Sequence, residues 1–78
     1  MPRVAGNEQQ WRKRVGRHIR AARLRHGVSQ SELARRLPGH LEGRDVSRWE
    51  RGANLPSWTH LRALARELDV SLGALLDD

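Results

Sequence analysis

The 78-residue chain has no cysteine, no phenylalanine, no tyrosine and one lysine beside fourteen arginines. Without cysteine there is neither a disulfide framework nor a thiolate metal cage. Stability must come from packed apolar side chains or from association with a second copy, in a reducing, cytoplasmic setting. No apolar run approaches the roughly 20 residues that span a bilayer, and Met1 to Gly6 lacks the hydrophobic stretch of a signal peptide. The expectation is of a soluble, unexported protein with no membrane partner. The length allows one domain with a modest core and excludes a second.

The formal charge of +6 is unevenly placed. Residues 1–27 carry eight basic side chains against one acid, residues 28–52 five against four, and residues 53–78 two against four. A cationic first third beside a neutral remainder suits a polyanion such as DNA, whose phosphates release counterions when paired with arginine or lysine. Solvation of an exposed helix by the same arginines explains the charge equally well.

Turn signals divide the chain into five helical stretches, at about 8–26, 30–37, 44–51, 58–68 and 72–76, behind a flexible leader at 1–7. In the first, Val15, Ile19 and Ala22 fall at i, i+4, i+7, a single buried stripe, and Gly27 ends the helix. Ser29-Gln30-Ser31-Glu32 has the form of a capping box. Leu33, Ala34 and Leu37 face inward until Pro38-Gly39 stops the second helix. The third is short and polar, anchored by Val46 and Trp49. Ser57 caps the fourth, with Leu61, Leu64, Ala65 and Leu68 as its stripe, and Ser71 caps a last turn carrying Leu72, Leu75 and Leu76. No segment alternates with period two, so the fold class is all-α.

The order of these pieces is informative: a capped short helix, a turn, then a short arginine-rich helix needing only a narrow apolar face. Such a helix can lie in the major groove while the preceding one crosses the phosphate backbone. Arg44, Ser47, Arg48 and Arg51 share one face, offset from Val46 and Trp49. Arg44 and Arg48 are placed to hydrogen-bond guanine. Asp45 either accepts from a cytosine amino group or, with Glu42, serves the helix N-terminus. Ser29 and Gln30 stand where the second helix begins, a natural position for a phosphate, and Ser29 also has a capping role.

Gly27-Val28-Ser29-Gln30-Ser31-Glu32-Leu33-Ala34, then Val46-Ser47-Arg48-Trp49-Glu50-Arg51-Gly52 and Pro56-Ser57, resembles the Cro/repressor-type helix-turn-helix family, also called XRE, over nearly the whole chain. The resemblance implies a compact five-helix, lambda-repressor-like domain and a double-stranded-DNA-binding transcriptional regulator, and the fourteen arginines against one lysine point by composition to a GC-rich bacterial genome. It implies DNA contacts from Gln30, from the exposed side of the third helix and from Arg51 and Asn54 after it, and a structural ion pair between Arg23 and Glu50. The expected base-contacting set is then Arg44, Asp45, Ser47 and Arg48, and the phosphate-contacting set Ser29, Gln30, Gly43, Arg51 and Asn54. The stretch from Pro38 to Asp45 is longer than the family's commonest turn. If the surplus extends the turn, His40 and Leu41 cover the base of the third helix; if it extends the helix, the contacts shift along it. A symmetric dimer on a two-fold related site is expected, with Leu72, Leu75 and Leu76 either making the contact or closing the monomer's own core.

Other classes compete less well. Base stacking on single strands uses exposed aromatics, but the resemblance implies that Trp49 and Trp58 fall at positions that pack against neighbouring helices, leaving Trp11 peripheral. His18, His26, His40 and His60 lack the clustering of a metal site and read as solvated, so neither metal nor cofactor is expected. No nucleophile and base arrangement or glycine-rich phosphate loop stands out, which argues against an enzyme. An antitoxin that binds a protein partner and autoregulates through the same helices is the alternative from a different class. A membrane-surface role fails because the apolar stripe of the first helix is narrow and alanine-rich.

Overall fold

Local signals of the kind just described start and stop each helix. The computed structural model describes residues 4–77, with side chains from Glu8 onward. Those residues contain five helices and no strand: α1 (Val4–His26), α2 (Gln30–Arg36), α3 (Gly43–Glu50), α4 (Trp58–Glu67) and α5 (Leu72–Leu76). At α2 the capping box closes in both directions, Glu32 N–H donating to Ser29 Oγ and Ser29 N–H to Glu32 Oε1, each at 3.0 Å. Ser57 and Ser71 likewise accept from His60 N–H and Ala74 N–H at α4 and α5. Gly27 takes a φ of +75°, a left-handed conformation that costs glycine little. The paired bonds from Gly27 N–H to Leu24 O and from Val28 N–H to Arg23 O then close α1.

The core gathers one face from every helix. Val15, Ile19 and Ala22 of α1 meet Leu33 and Ala34 of α2, Val46 and Trp49 of α3, Leu61 and Leu64 of α4, and Leu75 of α5. Val28, Leu37 and Leu68, at the helix ends, complete it. α1 is the spine, packing on α3 and α5, while α2 packs on α3 and α4 on α5.

Several expectations need correction. α1 begins at Val4 rather than about Glu8, so positions 4–7 are helical and not leader; residues 1–3 lie outside the described residues. Once a helix is nucleated, each further residue adds a bond at little cost, and no stop signal opposes the extra turn. The surplus residues between α2 and α3 lengthen the turn, since α3 starts at Gly43. Leu41 packs against the core from there, but His40 stays exposed. Trp58 does not pack inward: at the first turn of α4 it is 59% exposed. Leu75 is fully buried in the monomer, leaving only Leu72 and Leu76 of that trio partly open.

Two histidines are structural rather than solvated. His60 has Nε2 3.0 Å from Pro38 O and Nδ1 3.0 Å from Ser57 Oγ, and its ring stacks obliquely on Trp49 with centroids 5.5 Å apart. The carbonyl can only accept, so Nε2 carries the proton and Ser57 donates to Nδ1. His18 Nδ1 donates to Leu75 O at 3.0 Å, fastening α5 to α1. His26 and His40 are exposed, and no group of three metal-ligating side chains forms among the described residues.

Candidate nucleic-acid interface

Helix α3 is held by its inner face and by its end. Val46 is fully buried and Trp49 nearly so. On the opposite side of the helix, Arg44, Arg48 and Arg51 are exposed and Ser47 is half-exposed. The Arg44 and Arg48 side chains retain 73% and 51% of their accessible surface, so neither guanidinium folds into the body of the domain. Each has a local acidic neighbour: Arg44 Nε lies 3.0 Å from Glu42 Oε1, and Arg48 Nη1 lies 4.0 Å from Asp45 Oδ1. Exposed pairs of this kind contribute about 0–1 kcal/mol, so a better anion displaces them readily. Arg51 Nε donates to Ser47 Oγ at 3.3 Å, one helical turn back. Asn54 is exposed in the loop that follows.

Asp45 is committed to the backbone. Its Oδ2 accepts the Glu42 N–H at 2.8 Å, which caps the start of α3. The starts of α2 and α3 share one edge of the domain. Gly43 sits so close to α2 that a Cβ there would come within 2.7 Å of Ser31 Oγ. Ser29, Gln30 and Gly43 are therefore grouped, though Gln30 is not the free amide expected: it is half-buried and donates from Nε2 to Glu50 Oε1 at 3.0 Å.

Glu50 is the junction that orients α3. Arg23 reaches it from α1 with two bonds, Nε to Oε2 at 2.6 Å and Nη2 to Oε1 at 3.1 Å, while Arg23 Nη1 donates to Val28 O at 3.0 Å. Both residues are buried. The hydrogen bonds from the guanidinium to Glu50, aided by its charge, raise the Arg23 pKa against the opposing effect of burial. A raised pKa on a cation stabilises the fold below the unfolded value, so this contribution stays in place across the whole working pH range. Arg20, also on α1, approaches Glu50 Oε1 at 3.7 Å and was not anticipated; its spacing from Arg23 was the available signal.

Gly16 was missed as well. It is buried against the end of α3, where a Cβ would fall 2.3 Å from Trp49 O and 2.7 Å from Glu50 O. A glycine inside an otherwise strong helix was the clue, since that placement costs about 1 kcal/mol unless something needs the space.

One titration bears on α2. The Ser29 N–H, with smaller help from the Ser29 hydroxyl, Arg36 and Arg35, holds the Glu32 carboxyl below its usual range despite slight desolvation. A depressed carboxyl stabilises the fold above its unfolded pKa of about 4.3, and the benefit is lost as pH falls through the folded value. The parent chain should thus lose more stability on acidification than Glu32→Gln. Parallel denaturant titrations at about pH 6 and at about pH 3 would test this, and equal losses would count against it.

The whole arrangement is that of two short helices joined by a turn, the second presenting arginine outward and locked from behind by α1. A family model described as a helix-turn-helix domain matches residues 14–78. The chain belongs to the helix-turn-helix domain family. Among solved structures, this helix-turn-helix chain is similar to the P22 c2 repressor protein in complex with a synthetic operator. The identity is 30% and the TM-score 0.74, covering 81% of this chain and 92% of that one. It is also similar to the DNA-binding domain of BldD, at 26% identity and TM-score 0.75, covering 88% and 97%. Together with the family match, these likenesses are consistent with a helix-turn-helix of Cro/repressor type. No curated protein matches the sequence.

Proposed function

We propose that the chain is a transcriptional regulator that binds a specific sequence of double-stranded DNA, with α3 in the major groove. One observation carries this reading: Arg44, Ser47, Arg48 and Arg51 stand together on the open side of a helix whose other side is pinned by Val46, Trp49 and Glu50. A rigid helix with outward guanidinium groups is the element that reads base edges. The similarity to a repressor solved on an operator supports it.

Arg44 and Arg48 read guanine, with Ser47 between them. Asp45 reaches a cytosine only by releasing the Glu42 N–H, so its role is to cap α3 and steer Arg48. Ser29, Gln30, Gly43, Arg51 and Asn54 hold phosphates on either side. Two copies bind a two-fold related site with half-sites about 34 Å apart, meeting through the open parts of Leu72 and Leu76. Sedimentation that finds only monomer, with and without DNA, would remove the dimer. The location is the cytoplasm, where duplex DNA is reached directly; fractionation placing the chain elsewhere would refute that.

The two contact classes separate by experiment. Arg48→Ala should lose about 1–3 kcal/mol of discrimination at one base pair, a roughly 5- to 150-fold relaxation of preference. Gln30→Ala should weaken all sequences alike. Selection from random duplexes at fixed salt, followed by titration of the selected site, measures both. Arg48→Ala with unchanged affinity and unchanged preference would overturn the base-reading assignment.

A further inference from the structure

The sequence places eight basic side chains in residues 1–27, and the reading above uses none of them to touch DNA. Lys13, Arg17 and Arg20 stand at i, i+4 and i+7 of α1, forming one stripe that is exposed throughout. Among the described residues, neither Lys13 nor Arg17 has an ion-pair or hydrogen-bond partner, and Arg20 has only its long contact to Glu50.

Close approaches fix where the stripe lies. At one end, Arg20 stands at Glu50 Oε1, the same oxygen that accepts from Gln30. At the other end, the Lys13 backbone rests on Gly52, where a Cβ would come within 2.9 Å of Lys13 Cα; the φ of +77° also suits glycine there. Between them, Gly16 touches the last carbonyls of α3. The stripe therefore runs beside the C-terminal end of α3, from Gln30 to the loop that carries Arg51 and Asn54.

We propose that Lys13, Arg17 and Arg20 form a second phosphate-binding surface on α1, which grips the DNA backbone flanking the half-site read by α3. Seven residues of helix span about 10.5 Å, and a duplex offers a negative charge for every 1.7 Å or so of its axis, so three cations in a row find partners without bending either molecule. A lipid surface fits less well, because the apolar stripe of α1 is spent in the core and, among the described residues of that helix, only Trp11 and Leu24 stay exposed as large hydrophobics, too few to form an apolar face that enters a bilayer. The inference rests on the DNA-binding reading and enlarges its footprint.

The test is the salt dependence of binding to the selected duplex. Each phosphate contact contributes about 0.9 to the slope of log affinity against log salt. Lys13→Gln/Arg17→Gln should lower that slope by about 1.8, so that a fourfold rise in salt costs the variant roughly tenfold less affinity than it costs the parent. Base preference should not change. Arg25→Gln/Arg62→Gln removes the same charge from other exposed faces and should leave the slope near that of the parent. Duplexes trimmed to the bases read by α3 should erase the difference between stripe variant and parent.

An unaltered slope in the stripe variant would overturn the inference while leaving DNA binding intact. So would equal changes in both double variants, which would report net charge rather than place. A parent chain that binds no duplex at all would instead remove the reading beneath it. Loss of binding to anionic vesicles, with the DNA slope unchanged, would reassign the stripe to lipid and overturn the inference. Far-ultraviolet circular dichroism of both variants should match the parent, since the substituted positions are exposed.

Discussion

Glu50→Ala should cost about 3–5 kcal/mol of folding stability, the usual penalty for leaving a buried charge without its partner. Arg23 is 7% exposed, and its guanidinium spends two of its three bonds on that carboxylate. Only Val28 O would remain, and the Gln30 amide would lose its acceptor at the same time. Against a typical total of about 5–15 kcal/mol, such a loss leaves a small domain barely folded. Urea denaturation measures it, and a change below about 1 kcal/mol would show that the pair does not hold α3 in place. Replacing both partners, as Arg23→Met/Glu50→Leu, should recover most of the stability, because no charge is then stranded. If the double variant folds but binds DNA poorly, the pair has a second role in aiming α3 and Gln30.

Gly16→Ala is the second large effect, and its sign depends on a competition. In an exposed helix interior the change would stabilise by about 0.5–1 kcal/mol through reduced backbone freedom. Here the added methyl would lie 2.3 Å from Trp49 O and 2.7 Å from Glu50 O. Those atoms are backbone and cannot rotate away. The helices must part instead, and overpacking of this kind costs about 1–3 kcal/mol. A lower melting temperature, with weaker DNA binding because α3 shifts from α1, is the expected result. A higher melting temperature would mean that α1 and α3 are not in close contact there.

The features legible beforehand are those written within one or two turns of chain. Ser29 and Glu32 are three residues apart, so their reciprocal bonds follow from local geometry. Gly27 sits where α1 must stop, and the apolar spacing of Val15, Ile19 and Ala22 names the buried face without reference to what covers it. Trp58 shows the limit of the resemblance: the family pattern implied that it packs against a neighbouring helix, but the first turn of α4 points it into solvent. His60 shows the converse, since its partner Pro38 O is 22 residues away and nothing nearby announces it.

The candidate site divides in the same way. That four polar side chains share a face of α3 follows from the 3.6-residue period alone, because any helix built on Val46 and Trp49 turns Arg44, Ser47, Arg48 and Arg51 outward. Periodicity says nothing of what lies beside that face. Chain packing brought Gln30 and Arg20 to a single oxygen of Glu50, set Gly43 against Ser31, and pressed Gly16 and Lys13 onto the end of α3. Composition and spacing determined the helices, their caps, their inward stripes and the excess of positive charge in the first third. Only the tertiary structure decided where that charge lies relative to α3, because contacts between distant segments depend on how whole helices interlock rather than on any pattern within one of them.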